Sequence, residues 1–365
     1  MKRKLEEMRT FIIAEAGVNH DGDLGIAFEL VEMAAECGAD AVKFQNFSAA
    51  ALVSDDLPTA SYQSRNTGNH ENQRAMLAKL ELTHDQTLRI AERCRKTGIE
   101  FLSTAFDERS LEFLVDKVGI RKLKIGSGEL TNGPFILKHA RYGLPIIMST
   151  GMSYLGEIDA ALAVLHKGFR NEGICGDEVR KIDGKSLKKS SELQAKVTLL
   201  QCTTQYPAPL ADANLRAMVA MQDRYSLRVG YSDHTKGYIS AIVAVANGAS
   251  IVEKHITVDN KKSSGPDHKA SMTADQFLEY VRMIRDAEVA LGGSTKEPQQ
   301  SELENILAAR KCIVASQDIE KGEKFSAGNL QMMRAGEGLS PMAYWQLLGQ
   351  SARRRFRAGE PVSAE

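Results

Sequence analysis

The 365-residue chain carries 47 Lys plus Arg and 47 Asp plus Glu, so its formal net charge is zero. Because the net charge is zero, the protein has no overall positive potential to attract nucleic acid or an anionic membrane, and the composition argues against both partners. The five cysteines are odd in number and lack C-x-x-C spacing, which indicates a reducing compartment rather than a disulfide framework. The apolar run at residues 11–14 is too short for a signal peptide or a spanning helix. We therefore expect a cytoplasmic protein.

Short apolar runs alternate with amphipathic stretches up to about residue 290. The predicted strands, in chain order, are FIIAEAG, AVKFQNF, FLSTAF, LKIGSGE, PIIMSTGM, VTLLQCTTQYP, RVGYSD and IVEKHITVD. Between them lie helical patterns such as IAFELVEMAAECG and QTLRIAERCRKTG, each closing on a C-cap glycine. Such β–α units in series predict a (β/α)8 TIM barrel, because parallel strands need a helical crossover. A doubly wound open sheet shares this alternation, but no G-x-G-x-x-G follows the first strand.

Two segments interrupt the alternation. Residues 48–82 include SDDLPTASYQSRNTGNHENQ and predict a long, partly mobile loop over the barrel mouth. Residues 168–195, which precede the sixth strand, predict a charged surface excursion.

Beyond the barrel pattern the composition changes. We expect a catalytic barrel domain at residues 1–290, a linker at 291–305 and a small β-rich domain at 306–365. A domain of this size gains stability by docking on a neighbour. Its run RRRFR, residues 353–357, is interpreted as a solvated face or a dimer contact rather than a nucleic-acid site.

Polar residues collect at the C-terminal ends of the predicted strands, where TIM barrels hold their catalytic groups. They are Glu15, Asn19, Lys43, Gln45, Ser103, Thr104, Lys124, Ser127, Glu129, Ser149, Thr150, Thr203, Thr204, Tyr206, residues 232–234 and residues 253–255. Alone, His234 in RVGYSDHT would be a solvent-facing turn residue beside a helix cap. So many polar residues converging on one mouth predict an active site instead.

Two chemical subsets stand out among these residues. A donor-rich, cationic set suits a phosphate ester with a carboxylate, although each lysine taken singly fits a glutamate partner equally well. This set comprises Lys43, Thr104, Lys124, Ser127, Ser149 and Ser232. His234 and His255 end neighbouring strands and are placed to share a divalent ion, Mn²⁺ or Mg²⁺ rather than tetrahedral zinc. The segment SSGPDHKAS adds Asp267 and His268. Together they suggest a bond made between a phosphorylated donor and a polarised carbonyl.

The sequence also resembles a known family over nearly its whole length. The motifs AEAGVNHDG, AVKFQ, KIGSGELTN, STGM, CTTQYPAP, GYSDHT, EKHITVD and GPDH, followed by VASQDIEKGE and RAGEGLSP, are similar to those of the sialic acid synthase family. These enzymes make N-acetylneuraminate, legionaminate or pseudaminate. The resemblance implies a barrel followed by an antifreeze-like (SAF) domain. It also implies condensation of phosphoenolpyruvate with an open-chain hexosamine, N-acetylmannosamine or a 2,4-diacetamido-trideoxyhexose, releasing phosphate, for surface polysaccharide or glycan biosynthesis.

The resemblance also implies roles for individual residues. Glu15, His234 and His255 would be catalytic, with the two histidines holding the metal. Phosphoenolpyruvate would be bound by Lys43, Thr104, Lys124, Ser127, Ser149, Thr204 and Ser232. The sugar would be bound by Glu129, Tyr206, Asp267 and Arg334. Arg334, which alone would be called a surface charge, would reach the site from the partner of a domain-swapped homodimer.

The chain departs from the family pattern in two places, and two alternatives remain. Thr204 in CTTQYPAP stands where the sialic-type motif carries Asn, and this form resembles the legionaminate branch. The excursion at 168–195 is also longer than expected.

Two alternative functions remain. A metal-dependent aldolase or epimerase would need the histidines but not the lysines. A carbohydrate-binding protein without activity should have lost a lysine or a metal histidine.

Overall fold

Eight parallel strands close into a barrel in the first of two units, Met1–Gly292 and Gly293–Glu365. The computed structural model describes residues 9–55, 57–60, 63–64, 66, 72–175, 177–262 and 265–363. The barrel strands are β1 Phe11–Gly17, β2 Ala41–Asn46, β3 Glu100–Ala105, β4 Leu123–Ile125, β5 Ile146–Ser149, β6 Val197–Cys202, β7 Arg228–Asp233 and β8 Ile251–His255. Each strand pairs in parallel with the next, and β8 pairs with β1. The predicted TIM barrel is confirmed, because an open doubly wound sheet would have two edge strands, whereas each of these eight strands pairs with a neighbour on both sides.

Helices follow the strands as crossovers. They are α1 Leu24–Glu36, α2 Ala49–Leu52, α3 Gln73–Ala78, α4 His84–Thr97, α5 Glu108–Phe113, α6 Gly133–Arg141, α7 Leu155–Phe169, α8 Ser191–Lys196, α9 Arg216–Tyr225, α10 Ile239–Ala246 and α11 Ala274–Leu291. The sequence sets the ends of α4, where Thr83 and Gln86 form a capping box and Gly98 adopts φ 78°. No helix in the described ranges combines the length and apolar character that a bilayer crossing requires.

The barrel interior is layered because side chains alternate across each strand. An apolar layer is formed by Ile13, Ala41, Leu102, Ile147, Leu200 and Ile251. Two positions further along the same strands lie buried residues that are mostly polar, namely Glu15, Lys43, Thr104, Ser149, Cys202 and Glu253. The apolar layer therefore forms the floor of a polar pocket at the C-terminal ends of the strands.

The two interrupting segments are more ordered in their described parts than the sequence suggested. Residues 48–82 contain helices α2 and α3 and a bridge between Pro58 and Asn72. The stretch 168–195 contains two short 3₁₀ helices, Glu178–Lys181 and Gly184–Lys189, and leads into α8. Arg224 pairs with Asp183 in this stretch at 3.0 Å. The excursion is therefore attached to the barrel wall.

The second unit is a small β-rich fold. After helix α12, Leu303–Ala309, strands β9 Cys312–Ala315 and β10 Leu330–Met333 pair antiparallel, and helix α13 spans Tyr344–Leu347. Its core consists of Ile313, Ala315, Ile319, Phe325, Leu330, Leu347, Ala352, Phe356 and Val362. In the arginine run, Phe356 is buried in this core. Arg354 pairs with Glu360 at 2.6 Å and Arg355 with Asp318 at 2.8 Å, as suits a solvated face.

Candidate active site

Four charged side chains from different strands meet in the polar layer of the barrel. This inner cluster consists of Glu15 on β1, Lys43 on β2, Lys124 on β4 and Glu253 on β8, each at most 5% exposed. Lys43 Nζ lies 2.6 Å from Glu15 Oε2 and 3.6 Å from Glu253 Oε2. Lys124 Nζ lies 3.9 Å from Glu253 Oε1. Two ammonium groups thus share two carboxylates.

Burial and mutual attraction shift the pKa values of these groups in different directions. Burial raises the pKa of Glu15 to about 7, and Glu253 adds to this effect while Lys43 opposes it. Burial also lowers the pKa of Lys124, which Glu253 only partly offsets. For Lys43, burial is outweighed by the two carboxylates, and its pKa is raised. Glu15 is therefore poised to exchange a proton near neutral pH.

Hydroxyl groups on neighbouring strands complete the surroundings of the inner cluster. Lys43 Nζ donates to Thr104 Oγ1 at 3.1 Å, Lys124 Nζ donates to Ser149 Oγ at 2.6 Å, and Ser232 Oγ donates to Glu253 Oε1 at 3.0 Å. The cationic set predicted from the sequence is thus brought together by the fold. Such a set of donors suits an anion with several oxygens.

A second group of hydroxyls lies around Gly151. The Gly151 N–H donates to Ser127 Oγ at 3.0 Å. A Cβ at Gly151 would lie 2.4 Å from Thr204 Oγ1 and 2.8 Å from Ser127 Oγ, so any other residue would clash here. Thr204 Oγ1 is buried and has no hydrogen-bond partner within the described residues. It lines a cavity of about 630 Å³ together with Cys202.

Two imidazoles and one phenol form the other side of the site. The rings of His234 and His255 have centroids 5.4 Å apart. The Tyr206 ring lies 4.1 Å from that of His234 and 5.4 Å from that of His255. His234 follows the end of β7 and His255 ends β8, as predicted for side chains at adjacent strand ends.

The two imidazoles suit a divalent metal ion. His234 Nδ1 lies 2.7 Å from the Thr203 carbonyl oxygen, which assigns a proton to Nδ1, and its Nε2 lies 3.4 Å from Ser232 Oγ. Burial, together with His234 and nearby lysines, holds the pKa of His255 well below its usual range. Its buried Nδ1 has no hydrogen-bond partner in the described part of the chain. For His234, burial is outweighed by Cys202 and the Thr203 carbonyl, and its pKa is raised, so a metal ion would displace a proton there. Imidazole nitrogens are common metal ligands, so the two residues fit the predicted ion.

The two imidazoles are not accompanied, among the described residues, by enough side chains to complete the coordination of a metal ion. Across the described ranges, no group of three or more His, Cys, Asp or Glu side chains is arranged to hold a metal. An ion between the two imidazoles would therefore need oxygen ligands from water or substrate, as Mn²⁺ and Mg²⁺ commonly take.

The predicted sugar-binding residues are placed less uniformly. Asp267 is buried, and burial raises its pKa to about 6 while the nearby His234 opposes the rise. Glu129 lies in the 3₁₀ helix after β4 and accepts a hydrogen bond from Asn132 at 2.7 Å. Arg334 is an exposed residue of the second unit. The fold thus brings Asp267 and Tyr206 to the imidazoles, and the roles of Glu129 and Arg334 stay predictions.

Two residues of the site were not assigned roles from the sequence. Glu253 contacts both lysines, although the sequence marked it only as one of several strand-end residues. Cys202 Sγ lies 3.7 Å from His234 Nδ1 and 3.6 Å from Ser127 Oγ. The alternation of side chains along a strand could have revealed the role of Glu253, since Glu253 and His255 lie two residues apart and share one face of β8.

The fold and the site define a parallel barrel whose mouth combines a cationic, hydroxyl-lined pocket with a pair of histidines. Residues 30–296 match the model of the NeuB family, and residues 310–365 match that of the SAF domain. The chain belongs to the NeuB family.

Similar proteins agree with this assignment. The N,N'-diacetyllegionaminic acid synthase of Campylobacter jejuni is 43% identical, covering 97% of this chain and 99% of that protein. The enzyme of the same name from Legionella pneumophila is 41% identical, covering 98% and 95%. A crystal structure of N-acetylneuraminic acid synthetase from Leptospira borgpetersenii, in complex with citrate, matches with a TM-score of 0.65 and 31% identity, covering 81% and 90%. The predictions of family, fold and enzymatic nature are confirmed.

Proposed function

We propose that this protein condenses phosphoenolpyruvate with an open-chain diacetamido-trideoxyhexose to form a legionaminic-type nonulosonic acid. The observation that carries the proposal is the juxtaposition of Lys43 and Lys124 with the His234–His255 pair at one barrel mouth. An aldolase or epimerase would use the histidines without this cationic pocket. The relatives named legionaminic acid synthase support the branch, as does Thr204 in the CTT motif.

The chain's own side chains account for binding and proton handling in this reaction. Lys43, Lys124 and their hydroxyl partners hold the phosphate and carboxylate oxygens of phosphoenolpyruvate. The enol carbon attacks the aldehyde carbon of the sugar and forms the new C–C bond. Water then adds to the neighbouring cationic carbon, and cleavage of the bond between that carbon and the phosphate oxygen leaves a ketone and releases phosphate. One proton of the water ends on the former aldehyde oxygen and the other on the departing phosphate. The Glu15 carboxylate stabilises that cation and takes up a proton, which a pKa of about 7 permits.

The divalent cation, Mn²⁺ or Mg²⁺, is assigned to His234 and His255. When bound there, it supplies Lewis-acid polarisation of the sugar carbonyl. Asp267 and Tyr206 lie on the same side as the imidazoles and are assigned to the sugar. The site thus has an anion half, formed by the inner cluster, and a sugar half around the imidazoles.

Phosphate release tests the proposal directly. The full chain is incubated with phosphoenolpyruvate, Mn²⁺ and a panel of sugars that includes N-acetylmannosamine and a 2,4-diacetamido-trideoxyhexose. We expect the fastest release with the diacetamido sugar, loss of release with a chelator and recovery when Mn²⁺ is restored. Faster release with N-acetylmannosamine would assign the enzyme to the neuraminate branch, and no release with any sugar would refute the condensation.

A homodimer with shared sites extends the proposal to Arg334. If the arginine serves the partner's site, Arg334→Ala and His234→Ala homodimers are both nearly inactive, while co-refolded mixtures regain activity. Random pairing makes about half the dimers mixed, each with one complete site, so recovery approaches about a quarter of wild type. If mass measurements show that mixed dimers have formed and these dimers are inactive, Arg334 does not serve the partner's site.

A cytoplasmic location also stays a prediction, and cell fractionation checks it.

A further inference from the structure

Strands β7 and β8 carry a second set of buried charges on the faces opposite the site. Asp233 and Lys254 are register partners on these strands, and their side chains are 0% and 1% exposed. Lys254 Nζ lies 3.2 Å from Asp233 Oδ2. The outer cluster consists of this pair with Thr235, Ser240 and Tyr280.

Every partner in the outer cluster converges on the Asp233 carboxylate. Its Oδ1 accepts from the Thr235 backbone N–H at 2.9 Å and from Thr235 Oγ1 at 2.7 Å. Its Oδ2 accepts from Ser240 on α10 at 3.1 Å and from Tyr280 on α11 at 3.0 Å. Lys254 Nζ also donates to the Thr235 carbonyl oxygen. The carboxylate therefore ties two strand ends to two helices.

The outer cluster holds the backbone on either side of the metal-binding residues. His234 lies between Asp233 and Thr235, which are hydrogen-bonded to each other, and His255 directly follows Lys254. Because side chains alternate along a strand, Lys254 points behind the barrel wall while His255 points into the site. A shift between Asp233 and Lys254 would therefore change the separation of the two imidazoles.

We propose that Asp233, Lys254 and Tyr280 are positioning residues that fix the spacing of His234 and His255 and so set the affinity for the divalent cation. The proposal rests on the metal assignment made above. Residues that orient metal ligands from behind commonly change metal affinity about 10- to 100-fold when replaced. A purely structural cluster would affect folding stability and leave metal affinity unchanged.

The test is a Mn²⁺ titration of the purified full chain without substrates, in which free Mn²⁺ is followed by electron paramagnetic resonance. Lys254→Met removes the ion pair with little change in volume, and we expect its Kd for Mn²⁺ to rise about 10- to 100-fold. Tyr280→Phe removes one hydrogen bond, keeps the ring packed and is expected to raise the Kd about threefold or more. If Lys254→Met does not fold, Tyr280→Phe decides.

Tyr225→Phe is the matched control. Tyr225 is also a buried tyrosine, 1% exposed, and its hydroxyl donates to the Asp159 carboxylate at 2.7 Å, away from the inner cluster and the imidazoles. The Tyr225→Phe variant should lose about as much stability as Tyr280→Phe in urea unfolding, yet keep the wild-type Kd for Mn²⁺. Equal Kd values for wild type, Lys254→Met and Tyr280→Phe would overturn the proposal.

The His234→Ala variant tests the metal assignment separately from the positioning role. Unchanged Mn²⁺ binding in this variant would refute the metal site itself.

Discussion

The inner cluster holds buried charges inside the barrel and the outer cluster holds them behind its wall, with β8 contributing Glu253 to one and Lys254 to the other, but the two clusters differ in how well those charges are satisfied. In the outer cluster, Asp233 accepts four hydrogen bonds and pairs with Lys254. In the inner cluster, Glu253 is shared between two lysines at 3.6 and 3.9 Å, and burial raises the pKa of Glu15 to about 7. A buried charge with all its partners supports the fold, whereas an incompletely matched set is available to a ligand.

The contrast is sharpest at the neighbouring residues His234 and Asp233. We expect His234→Ala to reduce turnover at least about 1,000-fold, or about 4 kcal/mol, since it removes one of the two proposed metal ligands. Its melting temperature should stay within a few degrees of wild type because the outer cluster is intact. Steady-state phosphate release and thermal unfolding measure the two effects.

His139 supplies the converse control for that variant. It is a buried histidine of α6, and its Nδ1 lies 2.8 Å from the Phe135 carbonyl oxygen. His139→Ala should lower stability and leave turnover per folded molecule unchanged. Near-normal turnover in His234→Ala would show that the inner face does not carry the chemistry.

Asp233→Ala should have its main effect on folding. It leaves the Lys254 ammonium buried without its carboxylate, which costs about 3–5 kcal/mol of unfolding free energy. The double variant Asp233→Ala/Lys254→Met should recover part of this loss, because no unpaired charge remains. Urea unfolding measures both variants, and a double variant less stable than the single one would contradict the role of the ion pair.

Glu15→Gln should reveal the stability cost of the inner cluster as a pH dependence. The folded-state pKa of Glu15, about 7, exceeds the ordinary value of 4.5, so the folded chain binds more protons between these limits. Wild-type stability therefore falls as pH rises from 4.5 to 7, by up to about 3 kcal/mol from this group. Glu15→Gln lacks that fall. The free energy of unfolding of the variant minus that of wild type, measured with urea, should therefore increase as pH rises. A difference independent of pH would mean that Glu15 is ionised throughout.

Lys124→Ala should separate the two substrates. Its ammonium is assigned to the anion, so the KM for phosphoenolpyruvate should rise about 100-fold, or about 2.7 kcal/mol, while that for the sugar changes little. Initial-rate kinetics with each substrate varied in turn give both constants. Equal rises in the two KM values would place Lys124 elsewhere.

Much of the site was predictable because its pattern is local. Residues two apart on a strand share a face, so His234 with Ser232 and His255 with Glu253 could be assigned to one face from the sequence alone. The C-terminal ends of parallel strands converge in a barrel, which predicted that Lys43 and Lys124 would meet. The structure brings these lysines to the same carboxylate.

Some element boundaries were not predictable. The predicted strand LKIGSGE ends at Ile125, and residues Ser127–Glu129 form a 3₁₀ helix. The polar stretch at 48–82 contains helices α2 and α3 where a loop was expected. In both cases a short segment takes the conformation that its packing allows, and propensity over a few residues is too weak a signal to decide it.

The sequence by itself determined the order of the elements, the polar strand ends and the family motifs, because each depends on neighbouring residues or on a fixed spacing. Only the tertiary structure decided which lysine pairs with which carboxylate, and that Asp233 and Lys254 pair behind the two histidines. A charge can choose among several partners of similar chemistry that are distant in the chain. The choice is made by strand register and barrel closure, which arise only when the whole ring of strands is assembled.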